Sequence, residues 1–297
     1  IQRSSLPSMA GFDASIYANM GEMDNKGVDA NLEYQTRIGN KVGLRLFGNL
    51  TYSKNKIVFR DEPAMQYAYQ KSEGTRYGEF YGYIAEGYFQ SEEEIKKSPR
   101  QMRELAPGDI KYKDLNDDGV IDANDQCYLG KSWFPSWSYG MGFNINYHNF
   151  DLALFFQGVS DVSIMANGGS IDTGNGDWGA SGVGIVPFTG MGLNPSNVIT
   201  KALDRWTADN PRADAWYPRM TANATTNDNN YVNSTHWLKD GSYLRLKQAS
   251  LGYTLENKKL MDKGIEYLYF YLSGQNLLTF SKFKLWDPEL GSNGAKY

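Results

Sequence analysis

Between Ser138 and Gln157 the chain alternates: Tyr139, Met141, Phe143, Ile145 and Tyr147 are separated by Gly140, Gly142, Asn144 and Asn146. A period of two puts one set on each face of a strand. After His148-Asn149 the pattern resumes, with Phe150, Leu152, Leu154 and Phe156 set against Asp151, Ala153 and Gln157, and only Phe155 out of step. Each segment is about 10 residues long, the length a tilted strand needs to cross the hydrocarbon layer of a bilayer.

The same alternation predicts six strands, at roughly 20–38, 41–54, 136–147, 150–160, 240–255 and 265–276. In the first, Val28, Ala30, Leu32 and Tyr34 oppose Asp29, Asn31, Glu33 and Gln35. In the second, Val42, Leu44, Leu46, Leu50 and Tyr52 oppose Arg45, Asn49 and Thr51, with Phe47 and Gly48 as exceptions. Short connections at Gly39-Asn40, His148-Asn149 and Asn257 to Gly264 alternate with very long ones over about 55–135 and 161–239. This is the plan of an up-and-down barrel, in which short turns are periplasmic and long loops external. Residues 55–135, 161–239 and 277–297 are thus expected outside the cell. In this reading Leu152 and Leu154 face lipid while Asp151 and Gln157 face the lumen. An arginine at Leu152 would then cost about 2–4 kcal/mol near the bilayer midplane and much less near an interface. Tyr81 to Phe89 predicts a further strand above the membrane, and Asn197 to Thr207 a short capped helix.

Composition narrows the function classes. The 297 residues include 31 Gly, 21 Tyr, 14 Phe and 7 Trp. A mean hydropathy of -0.55 suits a barrel with a wet lumen and polar loops. No run of about 18 apolar residues is present, which excludes spanning helices. The single cysteine, Cys127, and the two histidines, His148 and His236, offer little for a zinc site or a catalytic triad, so the chain reads as other than an enzyme. A net charge of -4 argues against a nucleic-acid partner.

Six strands do not close a barrel, since known bacterial barrels start at about eight and open edges in lipid cost several kcal/mol per unpaired group. The chain is therefore expected to be part of a larger wall. Its edge strands, near 20–38 and 265–276, would pair with strands outside this numbering, one of them returning from the loop that carries Asp287-Pro-Glu289. The lack of an initiating methionine, a signal peptide and an N-terminal globular domain fits that expectation.

Several segments together resemble the C-terminal third of SusC-like (SusC/RagA) TonB-dependent outer-membrane transporters. They are Asn19 to Asp29, Tyr81 to Gln90, Gly108 to Tyr112, Asp114 to Asp122, Arg205-Trp206-Thr207, Tyr217-Pro218-Arg219, Leu238 to Lys247, Leu251 to Thr254, Ser273 to Leu277 and Asp287-Pro288-Glu289. The resemblance implies an all-β fold, a fragment of a large antiparallel transmembrane β-barrel of 22 strands with long extracellular loops. It further implies an N-terminal plug, a SusD-like lipoprotein partner, coupling to TonB through that N-terminal region, and import of oligosaccharides or peptides across the outer membrane of a Gram-negative cell. The plug, the TonB box and the last strand have no counterpart in this sequence.

One motif carries its own chemistry. Asp114, Asn116, Asp118, Gly119, Val120, Asp122 and Asp125 match the EF-hand loop. That loop places oxygen ligands at positions 1, 3 and 5, glycine at 6, a carbonyl at 7 and acids at 9 and 12. The spacing suits Ca²⁺, with Mg²⁺ as the smaller alternative. Position 12 is Asp125 rather than glutamate, and its shorter reach disfavours bidentate ligation. No flanking helices pair as in a calcium sensor, so the expected role is a structural clamp. The bland alternative is a loop of Asx turns that holds no ion.

Among the tryptophans, Trp137 is expected in an interfacial girdle. Trp133, Trp178, Trp216 and Trp237 fall in the long loops, where rings stack on sugars, peptides or partner proteins. Asp177-Trp178, inside the glycine-rich run Gly168 to Gly184, is the leading substrate-contact candidate. A competing reading of the whole chain is a calcium-stabilised soluble β-rich binding module, an adhesin or lectin.

Overall fold

The computed structural model describes residues 21–39, 41–167, 200–220 and 228–293. Six long strands form one sheet: β1 (Gly21–Ile38), β2 (Val42–Arg60), β7 (Trp137–Tyr147), β8 (Phe150–Ser160), β11 (Tyr243–Leu255) and β12 (Leu268–Ser281), hydrogen-bonded in that order. Every pairing is antiparallel. Sequence order and spatial order coincide, as an up-and-down meander requires. Among the described residues no helix is long and apolar enough to cross a membrane.

Register carries the alternation across the sheet. One row runs Thr36, Leu44, Ile145, Leu152, Leu251, Leu272. The adjacent row, on the opposite face, runs Gln35, Arg45, Asn144, Ala153, Ser250, Ser273. Among the described residues nothing covers the apolar face: Leu32 and Leu272 are each 77% exposed and Val28 67%. Leu152 and Leu154 lie on that face, and Asp151 and Gln157 on the other. Aromatic rings flank the apolar band. Tyr52 packs on Trp137 at one end (centroids 4.4 Å) and Phe150 on Tyr253 at the other (4.7 Å). Trp137 thus sits where a girdle residue belongs. From Trp137 to Tyr147 a strand tilted by 35–45° rises roughly 25 Å, matching the apolar band of outer-membrane barrels.

The two exceptions to the pattern explain each other. Phe47 and Phe155 both lie on the polar face and stack across β7, with centroids 6.1 Å apart and planes 11° apart. They pass over Gly142, where a Cβ would come within 2.4 Å of the Phe47 ring. The Arg45 guanidinium caps this stack 4.9 Å from Phe47, and its Nε and Nη2 donate to Glu33 at 2.8 and 3.1 Å.

Several boundaries depart from the sequence reading. β2 runs six residues beyond the expected end at 54, to Arg60. Its last stretch pairs with β1 and also exchanges hydrogen bonds with Gly74 and Thr75. The expected strand over 81–89 is two short ones, β3 (Glu79–Gly82) and β4 (Ala85–Tyr88), which pair with β6 (Cys127–Ser132) and β5 (Ile110–Tyr112). The expected strand at 240–255 is broken after β10 (Leu238–Asp240), which leaves the wall to pair with β9 (Ser163–Met165). Of the helix expected over 197–207, residues 200–203 form a 3₁₀ turn; Asn197 lies outside the described residues.

The two long connections fold together. Tyr83, Tyr88, Ile110, Tyr112, Trp206 and Trp237 share one core. The first connection carries α1 (Glu92–Lys97) and the second α2 (Asp228–Tyr231). Asp109 locks one to the other. Its side chain, 2% exposed, accepts from Arg219 Nε and Nη2 at 2.6 and 3.0 Å and from Asn230 Nδ2 at 2.8 Å. The neighbouring Gly108, at φ +93°, leaves room for the Trp206 ring, which a Cβ would meet at 2.2 Å. A second lock holds the chain after β12. Arg245, 4% exposed, pairs with Asp287 and Glu289, and Lys247 reaches Glu289 at 2.9 Å. The segments that carry the family resemblance are, to this extent, the loop locks.

Asp109→Ala removes the carboxylate and leaves the largely buried Arg219 guanidinium unpaired, a change that costs about 3–5 kcal/mol when one partner of a buried pair is deleted. Thermal melting followed through tryptophan fluorescence should show an early loss of loop structure in this variant. An unchanged melt would remove the lock from this description.

Candidate cation loop and aromatic rim

The segment from Asp114 to Asp125 folds back on itself through its own side chains. Asp114 Oδ2 accepts the Gly119 N–H at 2.8 Å, and Asn116 Oδ1 accepts that of Asp118 at 3.2 Å. Asp118 Oδ1 accepts from Val120 at 2.9 Å, and Asp122 Oδ1 from Asn124 at 2.7 Å. Gly119, at φ +81°, makes the reversal that an L side chain resists. Asp114, Asn116 and Asp118 are thereby tied to the reversal at Gly119, whereas the Asp122 bond stays local to Asn124. Asp125, fully buried, is the staple: its oxygens accept from Leu115 and Asp122, both at 2.8 Å. Each keeps a second lone pair.

Among the described residues no three His, Cys, Asp or Glu side chains form a ready-made metal cluster. One atom does lack a partner. Asp114 Oδ1 is buried and accepts no hydrogen bond. A buried carboxylate oxygen left bare costs about 1–3 kcal/mol or more, which a cation at this end of the loop would recover. The donor set, hard oxygens from Asp114, Asn116, Asp118, Asp122, Asp125 and the Val120 carbonyl, fits Ca²⁺ in type and number.

The loop is tied to its surroundings on two sides. Tyr69 Oη donates to the Asn124 carbonyl at 2.8 Å and Gln70 Nε2 to that of Ala123 at 3.3 Å. Burial, and then the charge of Asp125, push the Tyr69 hydroxyl up to about 12. On the other side Arg100 N–H donates to the Gly119 carbonyl at 3.0 Å, while Ile121 N–H returns to Arg100 at 2.8 Å.

The loop tryptophans separate. Trp237 is fully buried, the centre of the loop core, and its Nε1 donates to Asn230 at 2.7 Å. Trp216 packs against it edge-on at 5.5 Å, with the Lys239 ammonium 5.2 Å over its ring. Both were expected at a ligand surface; Trp237 instead fills the core because several aromatic partners converge on it. Beside it, burial and then the Lys239 charge hold His236 down at about 4, and a hydrogen bond to the Trp216 carbonyl opposes the shift. Asp177 and Trp178 lie outside the described residues. Trp133 is 41% exposed and belongs to a rim with Phe134, 44%, and Tyr77, 55%. Tyr77 stacks on Phe134 at 5.8 Å, and Gly78, at φ +76°, admits the Trp133 indole where a Cβ would stand. The sequence reading named Trp133 but missed Tyr77 and Phe134, although Trp133-Phe134-Pro135 just before a strand was the visible signal.

No protein-family model matches the chain. Among curated proteins it is similar to TonB-dependent receptor P3 of Formosa agariphila, 28% identical over 298 residues that cover 96% of this chain and 27% of that protein. It is also similar to TonB-dependent receptor P26 of the same organism, 28% identical over 97% of this chain and 28% of that protein. Of solved structures, the RagAB peptide importer in the open-open state aligns with a TM-score of 0.67 at 22% identity, over 99% of this chain and 29% of that one. The closed-closed state aligns at 0.63 with the same identity. The chain thus spans a little over a quarter of the length of its relatives, which are receptors rather than enzymes. Along nearly its whole length the chain is thus similar in sequence to TonB-dependent receptors, and its antiparallel β fold is that of the matching stretch of the RagAB importer.

Proposed function

We propose that the chain forms part of the wall and external mouth of an outer-membrane nutrient importer of a Gram-negative cell. In this reading oligosaccharides or peptides enter with the help of a SusD-like surface lipoprotein, and TonB supplies the energy. Residues 55–135, 161–239 and 277–297 are its extracellular side. The observation that carries the proposal is the bare apolar face bounded by aromatic rings. A soluble sandwich would cover that face with a second layer, which is why the adhesin or lectin reading is set aside. The polar face, with Arg45, Glu33, Asn49, Asn144 and Gln157, suits a wet lumen.

The test is made in the host cell. Strains lacking the receptor gene, with and without a restored copy, are grown on single polysaccharides and on casein peptides as sole nutrients. Growth should fail on one nutrient, return with the restored gene, and stay absent when TonB is deleted. Normal growth on every nutrient, with the protein recovered in the detergent-free soluble fraction, would contradict the proposal.

The cation loop belongs to the same reading as a clamp rather than a transport element. When bound, Ca²⁺ would neutralise the acids of residues 114–125 and satisfy Asp114 Oδ1. The order it imposes would pass through Tyr69, Gln70 and Arg100 to the loop core. Calcium added to chelator-treated receptor should raise its melting temperature, and Asp114→Asn with Asp118→Asn should abolish the rise. A crystal structure grown with calcium should show oxygen distances of about 2.3–2.6 Å, against about 2.0–2.1 Å for magnesium. An ordered loop centred on a hydrogen-bonded water under those conditions sinks the clamp.

A further inference from the structure

Two of the short connections are tight turns, but the one between β11 and β12 is built differently. Asn257 caps a one-turn helix, α3 (Lys258–Met261), by accepting from Lys259 N–H at 2.9 Å. Gly264 ends it at φ +79°, with Ile265 N–H returning to the Leu260 carbonyl at 2.9 Å. Both ends are closed within the turn, so its shape needs no partner. Yet it holds apolar side chains in the open: Met261 is 52% exposed, Ile265 38% and Tyr267 58%.

Depth suggests what covers them. The Phe150–Tyr253 rings mark the end of the apolar band. β11 runs only to Leu255, paired with Leu268, the last apolar pair of the outward face. Two residues of tilted strand carry the chain about 5 Å past the rings. Headgroups add roughly 5–7 Å to each side of the hydrocarbon core. The helix therefore lies at headgroup depth, continuous with the lipid-facing surface.

We infer that α3 and its flanks are an interfacial foot, with Met261 and Ile265 set among the headgroups and upper acyl chains of the leaflet at the short-turn end. The inference rests on the membrane-wall reading above. Lys258, Lys259 and Lys263 are offset by Glu256, Asp262 and Glu266, so the turn carries no net charge. Its partner is accordingly a zwitterionic phospholipid held by apolar burial, with the lysine stems lying along the interface and their ammonium groups on phosphate. An anionic lipid drawn by net charge is not required.

The test uses the full-length receptor in phosphatidylcholine nanodiscs, with Cys127→Ser removing the only thiol of this segment. A fluorophore is placed by Met261→Cys or, in a separate variant, Ile265→Cys. Leu272→Cys serves as the apolar-face control and Asn31→Cys as the polar-face control. Lipid-borne nitroxides near the headgroup should quench the 261 and 265 labels several-fold more than the 31 label, and iodide should quench them less. If iodide reaches both turn labels as it reaches position 31, while position 272 still answers to lipid nitroxide, the foot is refuted and the wall stands. If position 272 answers only to iodide, the membrane reading falls and the foot with it. Quenching of the turn labels that appears only after anionic lipid is added would overturn the zwitterionic partner.

Discussion

Backbone hydrogen bonding without water is the constraint on which the rest of this structure depends. In hydrocarbon an unpaired N–H or C=O costs several kcal/mol, so each wall strand must hand its polar groups to a neighbour on both sides. β7 and β8 do so residue for residue, from Trp137 against Ser160 to Tyr147 against Phe150. Register shifts occur at Glu22/Met23 and at Leu246/Gln248, both toward the long-loop end. Beside the second of them Arg245 and Lys247, two residues apart and so on one face, both reach Glu289 and tie the segment after β12 to the wall.

Once pairing is satisfied along the strand, side chains have only two directions, and the faces diverge. In the membrane-wall reading lipid is the solvent of the bare apolar face. The polar face accepts irregularity, and Phe47 with Phe155 shows how. Two large rings lie flat on the wall only because Gly142 has no Cβ to lift them, and Arg45 with Glu33 covers one end of the stack. At the mouth, the long connections gain order from each other through Asp109–Arg219 and from a shared aromatic core, not from the wall alone.

The wall was legible because its signal is local and repeats. A period of two over ten residues needs no knowledge of tertiary contacts, and β8 was placed to the residue. Where tertiary contacts decide, the sequence said less. Tyr81 to Phe89 reads as one strand, yet Gly82 is pressed against the Asn233 backbone and the chain changes partner after it. Trp237 looks like any exposed loop tryptophan until Trp216, Tyr217 and Tyr231 close around it. The candidate cation loop lay between these cases: its EF-hand-like spacing was readable, whereas the bare Asp114 oxygen and the Tyr69 contact depend on the fold.

The central claim is that one sheet separates two solvents. A nitroxide scan across Phe150 to Gly158 of the full-length protein in liposomes tests it most directly, with accessibility to oxygen and to a water-soluble nickel complex measured at each position. The account predicts opposite oscillations of period two, with oxygen maxima at Leu152, Leu154 and Phe156 and nickel maxima at Asp151, Ala153 and Gln157. Nickel accessibility that is uniform along the strand, or that peaks at Leu152 and Leu154, would contradict it.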